Sequence, residues 1–348
     1  MQDYLDFYKG KIVLVTGGAG AIGSNLCRQL SDLEAKLVII LDDLSAAFKW
    51  NIPSRKNILF VKGSIIDEIS LKRVFNENPS QVFHLAAFFA NQNSLDYPER
   101  DLMVNGQGTL KVLEYAQLTK VERFVYASSG CSIYGSSAPL PLKEEFMSLN
   151  LSTPYQITKM LGELYCNFFY HHYGLPVVKT RFFNSYGPGE VPGQYRNVIP
   201  NFIYWAIKGR PLPITGNLDA SRDFTYVGDL VDGLLRAGYF KKCVGREMNL
   251  ASEKETKIGD LAKMINKACR NNAGIKIVSK RKWDTKSRLL ASVDRARELL
   301  GYEPHTSFEQ GLKKTIKWFK ENWPQIKKSV SFPPGVSSAV REKTTEKQ

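Results

Sequence analysis

The chain has 348 residues, 43% hydrophobic and 24% charged, the balance of a globular protein with a large core and one or two domains. Its net charge of +14, crowded into the C-terminal third (Lys276, Lys280, Arg281, Lys282, Lys286 and Arg288 among others), suits an anionic small molecule, and no zinc-finger spacing, RNA-binding signature or long basic helix points to nucleic acid as a partner. Five cysteines scattered without metal-ligand spacing, no apolar run approaching the roughly 18 residues of a membrane span and no secretory leader lead us to expect a cytoplasmic protein with reduced thiols, no metal and no membrane partner.

The first element is Lys11–Val15, a short β-branched run that reads as a buried strand. Gly17, Gly20 and Gly23 follow at three-residue spacing, with Ala21 and Ile22 opening an amphipathic helix near Ile22–Leu33. Glycines so placed allow the tight turn, a close approach of backbone to a pyrophosphate, and close packing of helix on strand. The helix N-terminus adds unpaired N–H groups and a positive dipole end. A second strand, Leu37–Leu41, ends at Asp42, nineteen residues after Gly23, where a carboxylate holds ribose hydroxyls and repels a 2′-phosphate. The reading is NAD rather than NADP.

Further strands are expected at Ile58–Lys62, Gln81–Leu85, Arg123–Ala127 and Val177–Arg181, with helices near Ser70–Glu77, Glu99–Thr119 and Pro154–Tyr173. The alternation predicts an α/β fold, a Rossmann-type doubly wound parallel sheet. Beyond the Gly/Pro-rich stretch Tyr186–Pro192 the pattern loosens, and a smaller mixed α/β C-terminal substrate domain is expected. We place the NAD-binding domain at 1–180, with 222–242 (strand Asp223–Val227, helix Gly228–Tyr239) returning to it. The substrate domain takes 181–325, with helices Ile258–Asn271, Val293–Leu300 and Ser307–Asn322. A basic tail, 326–348, is expected to be disordered.

Within this frame Tyr155 and Lys159 are i,i+4 neighbours on a helix that Pro154 can open. A lysine ammonium, with a nicotinamide cation nearby, favours the phenolate of a tyrosine, which can then exchange a proton with a substrate hydroxyl. Upstream, Ser128, Ser129 and Ser132 stand at the carboxyl edge of the predicted sheet, where ligands bind in such folds. His171 and His172 have no ligand-spaced partner, and Trp205, Trp283, Trp318 and Trp323 are read as packing.

Together these segments resemble the extended short-chain dehydrogenase/reductase family in its nucleotide-sugar epimerase/dehydratase branch, over roughly residues 9–322. The resemblance implies further roles. His84-Leu85-Ala86-Ala87 is similar to the strand end beside the cofactor, and Asn105 falls in the family's Asn-containing helix segment. Asn184 and Arg222 match residues that contact the substrate diphosphate, and Arg281 and Arg288 compete for a later phosphate-binding arginine. A homodimer built from the helices near Glu99–Thr119 and Pro154–Tyr173 is also implied. Two departures matter. Gly130 stands where the family has Ser or Thr, so Ser129 is taken as the hydroxyl, with Ser132 and Cys131 as alternatives; Ser64, beside Ile65, replaces an Asp at the adenine. Cys131 and Ser132 stand where dehydratases and decarboxylases carry acids. The expected activity is therefore NAD-dependent 4-epimerisation of a UDP-hexose or derivative through a 4-keto intermediate. A dehydratase, decarboxylase or reductase is the alternative, and a non-catalytic NAD-binding scaffold is one of another class.

Overall fold

The computed structural model describes residues 3–280, 284 and 286–332. Eleven strands form in chain order: β1 (Ile12–Thr16), β2 (Leu37–Asp42), β3 (Ile58–Lys62), β4 (Gln81–His84), β5 (Arg123–Ser129), β6 (Val177–Phe182), β7 (Leu212–Thr215), β8 (Ser221–Asp223), β9 (Glu247–Leu250), β10 (Glu255–Lys257) and β11 (Ile275–Val278). Seven make one parallel sheet in the order β3-β2-β1-β4-β5-β6-β9. Its strands are apolar on both faces because helices cover both. Val13, Val15, Ile40, Phe83 and Val178 pack with Leu26 and Leu30 of helix Ala21–Asp32 and with Leu230 and Leu234 of helix Val227–Tyr239. The alternate residues Leu14, Ile39, Val82 and Phe124 pack with Val74 of Glu68–Phe75, Leu113 of Thr109–Leu118 and Phe169 of Pro154–Tyr173. Strand order reverses between β1 and β4, and the crevice beyond their carboxyl ends is where such sheets bind ligands.

A smaller lobe has its own core of Ile199, Phe202, Ile203, Leu261, Ile265, Leu312, Ile316 and Phe319. Helices Val198–Ile207, Ile258–Cys269 and Phe308–Glu321 supply it. The last is opened by a capping box at Ser307 and Gln310. Two small sheets complete the lobe, β7 parallel to β11 and β8 antiparallel to β10.

Three expectations change. The strand at Asp223–Val227 does not join the main sheet: β8 pairs with β10, and the seventh strand of the main sheet is β9, while helix Val227–Tyr239 does return to that sheet's face. The long helix near Glu99–Thr119 contains a wider π turn over Leu102–Gly108. The tail expected from 326 is ordered through 332: Trp323–Ser329 is helical, Ile326 is buried, Ser331 bridges to Gly193, and Phe332 lies on Trp205 with centroids 4.7 Å apart. Residues 333–348 lie outside the described residues. No helix among the described residues is long and apolar enough to cross a membrane.

Candidate active site

The ends of β1, β2, β4 and β5 open into a cleft of about 770 Å³ that continues into the smaller lobe. At its dinucleotide end Gly17 has φ +72°, and a Cβ there would meet the Ala86 backbone nitrogen at 2.7 Å. A Cβ on Gly23 would stand 2.2 Å from the Gly17 carbonyl oxygen, so strand and helix could not approach as they do. Gly20 caps helix Ala21–Asp32 without a side-chain bond, leaving the first N–H groups of that helix free to meet an anion in the cleft. Gly17, Gly20, Ala21, Ile22, Gly23, Asp42, Ser64, Ile65, Leu85, Ala86 and Ala87 all line the cavity.

Asp42 closes β2 and accepts hydrogen bonds from the Ala19 (3.0 Å) and Leu44 (2.9 Å) amides. Burial nevertheless pushes its carboxyl above the usual range, against those two bonds. Asn105 does not line the cleft. It sits behind the wall, where it accepts from the Phe88 amide (2.7 Å) and donates to the Phe88 carbonyl (3.2 Å) and to Asp101 (2.8 Å). Its work is to hold the loop after β4, a partnership that sequence spacing cannot reveal.

Tyr155 and Lys159 lie in the first turns of helix Pro154–Tyr173, whose N-cap Thr153 accepts from the Gln156 amide at 3.3 Å. Both are buried and both line the cleft. Lys159 donates to the Ala127 carbonyl at 2.9 Å and lies 5.8 Å from the Tyr155 ring centroid. The electrostatics without the nicotinamide cation oppose ionisation of the tyrosine. Burial, with Asp101 and Cys131 adding, pushes the Tyr155 hydroxyl well above its ordinary range, and burial pulls the Lys159 ammonium down to about 8. Without a bound cofactor the buried Tyr155 is therefore held as a phenol.

Ser129, the last residue of β5, donates to Ser132 at 2.9 Å, and both line the cleft. Gly130 has a packing reason: a Cβ there would stand 2.0 Å from a ring carbon of Phe183. Below the strand end Ser128 donates to Glu163 (2.5 Å). Glu163 in turn forms a buried two-pronged pair with Arg181 (2.9 and 2.8 Å), whose second arm donates to the Tyr134 hydroxyl (3.0 Å). The serine turn is thus fixed from beneath.

In the smaller lobe Asn184 and Arg222 line the cleft. Asn184 donates to the Asp223 carbonyl (3.2 Å), and Arg222 pairs with Asp284 at 3.0 Å. Arg288 does not line the cleft; it is exposed and pairs with Glu255. Arg281 and Trp283 lie outside the described residues. Trp205, read as packing, also reaches the cleft wall. Sequence reasoning missed Glu190, Arg196 and Lys286, all cleft residues carried by loops. Asn197 donates to buried Glu190 at 2.9 Å, and burial pushes that carboxyl up to about 7. Arg196 reaches across the cleft to the Ala46 carbonyl.

Residues 13–251 match the model of the NAD dependent epimerase/dehydratase family. The chain is 34% identical over 311 residues to a UDP-glucose 4-epimerase of Mycolicibacterium smegmatis, covering 88% of this chain and 98% of that protein. Among solved structures it resembles epimerase Mth375 of Methanothermobacter thermautotrophicus, with TM-score 0.94 and 56% identity over 94% of this chain and 98% of that one. It also resembles the Bordetella bronchiseptica enzyme WbmF in complex with NAD+ and UDP, with TM-score 0.82 and 36% identity over 93% and 96%. Other similar proteins are named as a UDP-glucuronate 4-epimerase and a UDP-N-acetyl-alpha-D-glucosaminuronate decarboxylase.

Proposed function

The chain belongs to the NAD-dependent epimerase/dehydratase family, and from that membership we propose that it is a 4-epimerase of a UDP-hexose or of its uronic acid or N-acetyl derivative. The cofactor is NAD, and the glycine cradle, the uncapped helix N-terminus and Asp42 fit it. When bound it supplies the hydride acceptor and donor, together with a positively charged ring.

The chain's own residues manage the proton and the substrate. Tyr155 exchanges a proton with the sugar O4: as phenolate it takes the O4 proton while C4 is oxidised, and as phenol it returns the proton while C4 is reduced. Ser129, or Ser132 through their shared hydrogen bond, offers a second hydroxyl to orient O4. Lys159 holds the strand end and would hold the nicotinamide ribose. Asn184 and Arg222 hold the diphosphate. The observation that carries the choice of reaction is the turn after β5. Gly130–Tyr134 carries no carboxyl to expel a hydroxyl as water, whereas a 4-epimerase needs only the hydroxyl pair. Tyr155→Phe should lower turnover of UDP-sugars about 10²–10⁴-fold while bound NAD remains. Mass analysis of wild-type products should show an isomer of unchanged mass. Near-wild-type turnover by the variant, or loss of water or carbon dioxide from the substrate, would overturn the reading.

We further propose a homodimer. Leu102 and Met103 of the π turn are exposed, as are Ile157, Leu164 and Phe168 on the neighbouring helix Pro154–Tyr173, and together they form an apolar strip on this face.

A further inference from the structure

Past Tyr155 the cleft wall carries a cation that the proton chemistry does not use. Lys286 donates to the Cys131 carbonyl at 2.9 Å, in the turn that holds Ser129 and Ser132. Cys131, Tyr155 and Lys286 all line the cleft. The ammonium therefore stands beside the reacting turn.

Among the described residues, positive charge outnumbers negative at this wall. Arg222 and Lys286 share the field of one carboxylate, Asp284, and Arg222 lies within hydrogen-bond distance of both its oxygens (3.0 and 3.4 Å). Neighbouring Asp223 is already satisfied by the Ser252 amide and hydroxyl, the Glu253 amide and the Ala291 amide. An ammonium has three donors, and among the described residues Lys286 has one hydrogen-bond acceptor, a neutral carbonyl. Burial and the Arg222 charge pull its pKa below that of an ordinary lysine, so an anion arriving here is favoured.

We propose that Lys286 selects the substrate by binding a carboxylate on the hexose, which makes the preferred substrate a nucleotide hexuronate rather than a neutral nucleotide hexose. The inference rests on the nucleotide-sugar reading above. Arg222, paired with Asp284, serves the diphosphate, whereas Lys286 reaches the turn against which the sugar must lie for Tyr155 to meet its O4. Charge-assisted bonds to carboxylate are roughly twice as strong as neutral ones, and a site built for them rejects an analogue that lacks the partner.

The test uses the NAD-loaded full chain and calorimetric titration with UDP, UDP-glucose and UDP-glucuronate. Wild type should bind UDP-glucuronate at least about tenfold tighter than UDP-glucose. Lys286→Met should erase that preference, Lys286→Arg should restore part of it, and the affinity for UDP should stay within about threefold. Lys286→Gln serves as a second neutral variant, with thermal melts and NAD content confirming that each protein is folded. Equal wild-type affinities, or a preference that survives both neutral variants, would overturn the proposal. A loss of UDP affinity equal to the loss of UDP-glucuronate affinity would also overturn it and assign Lys286 to the diphosphate. Binding preference with no epimerisation of either sugar would sink the proposed reaction while leaving Lys286 as the carboxylate reader.

Discussion

Single residues show where charge and burial compete. Tyr155 and Lys159 were legible because they stand on one uninterrupted helix, and the glycines because they form one contiguous turn. The direction of the Tyr155 ionisation was not legible, since it depends on Asp101, Cys131 and the depth of burial, all fixed by the fold. Glu190 offers a test of the same competition. Its carboxyl is pushed up to about 7 from the ordinary 4.5 by burial. Between those values the folded chain keeps a proton that the unfolded chain has lost, so this group lowers stability as pH rises through that window. Glu190→Gln keeps an acceptor for Asn197 and removes the penalty. Its melting temperature should exceed that of wild type by a few degrees at pH 8, with the gap closing by pH 5. A gap that is constant across this range would show that Glu190 does not titrate as described.

At the level of elements, the strands of the sheet centre were legible because each is a short apolar run buried on both faces. β9, Glu247–Leu250, escaped notice: it is four residues long, and its Asn249 is polar yet buried by bonds to Leu142 and Ser292. Asp223–Val227 misled for the opposite reason. Its aromatic and β-branched residues look like a strand, yet the regular pairing is confined to Ser221–Asp223, Tyr226 makes an isolated parallel bridge to Tyr186, and Asp223 is drawn into bonds with the loop at Ser252. The turn after β5 shows how the glycine departure fits its neighbours. Phe183 fills the space a side chain at 130 would need. Gly130→Ser should therefore destabilise by about 1–3 kcal/mol, and adding Phe183→Leu should recover much of the loss. Denaturant unfolding of both variants checks this, and a stable single variant would show that the ring yields freely.

On the scale of the whole molecule, the apolar strip on helix Pro154–Tyr173 predicts association. Phe168→Glu places a charge in that strip and should convert a dimer to monomer, measured by light scattering after gel filtration. A wild-type monomer at micromolar concentration would end the homodimer proposal.

The path of the backbone between the two lobes carries a consequence of its own. After β6 it enters the smaller lobe, returns as helix Val227–Tyr239 and β9, and leaves again for β10 and helix Ile258–Cys269. It comes back once more as helix Asp294–Leu300, whose Ala296 and Leu300 join the core under the main sheet, before helix Phe308–Glu321 rejoins the smaller lobe. A scissor cut near residue 182 would therefore strip the sheet of an edge and bare the face that Leu230 and Leu234 cover. The two lobes are woven rather than hinged on a single thread, so neither corresponds to one continuous stretch of chain.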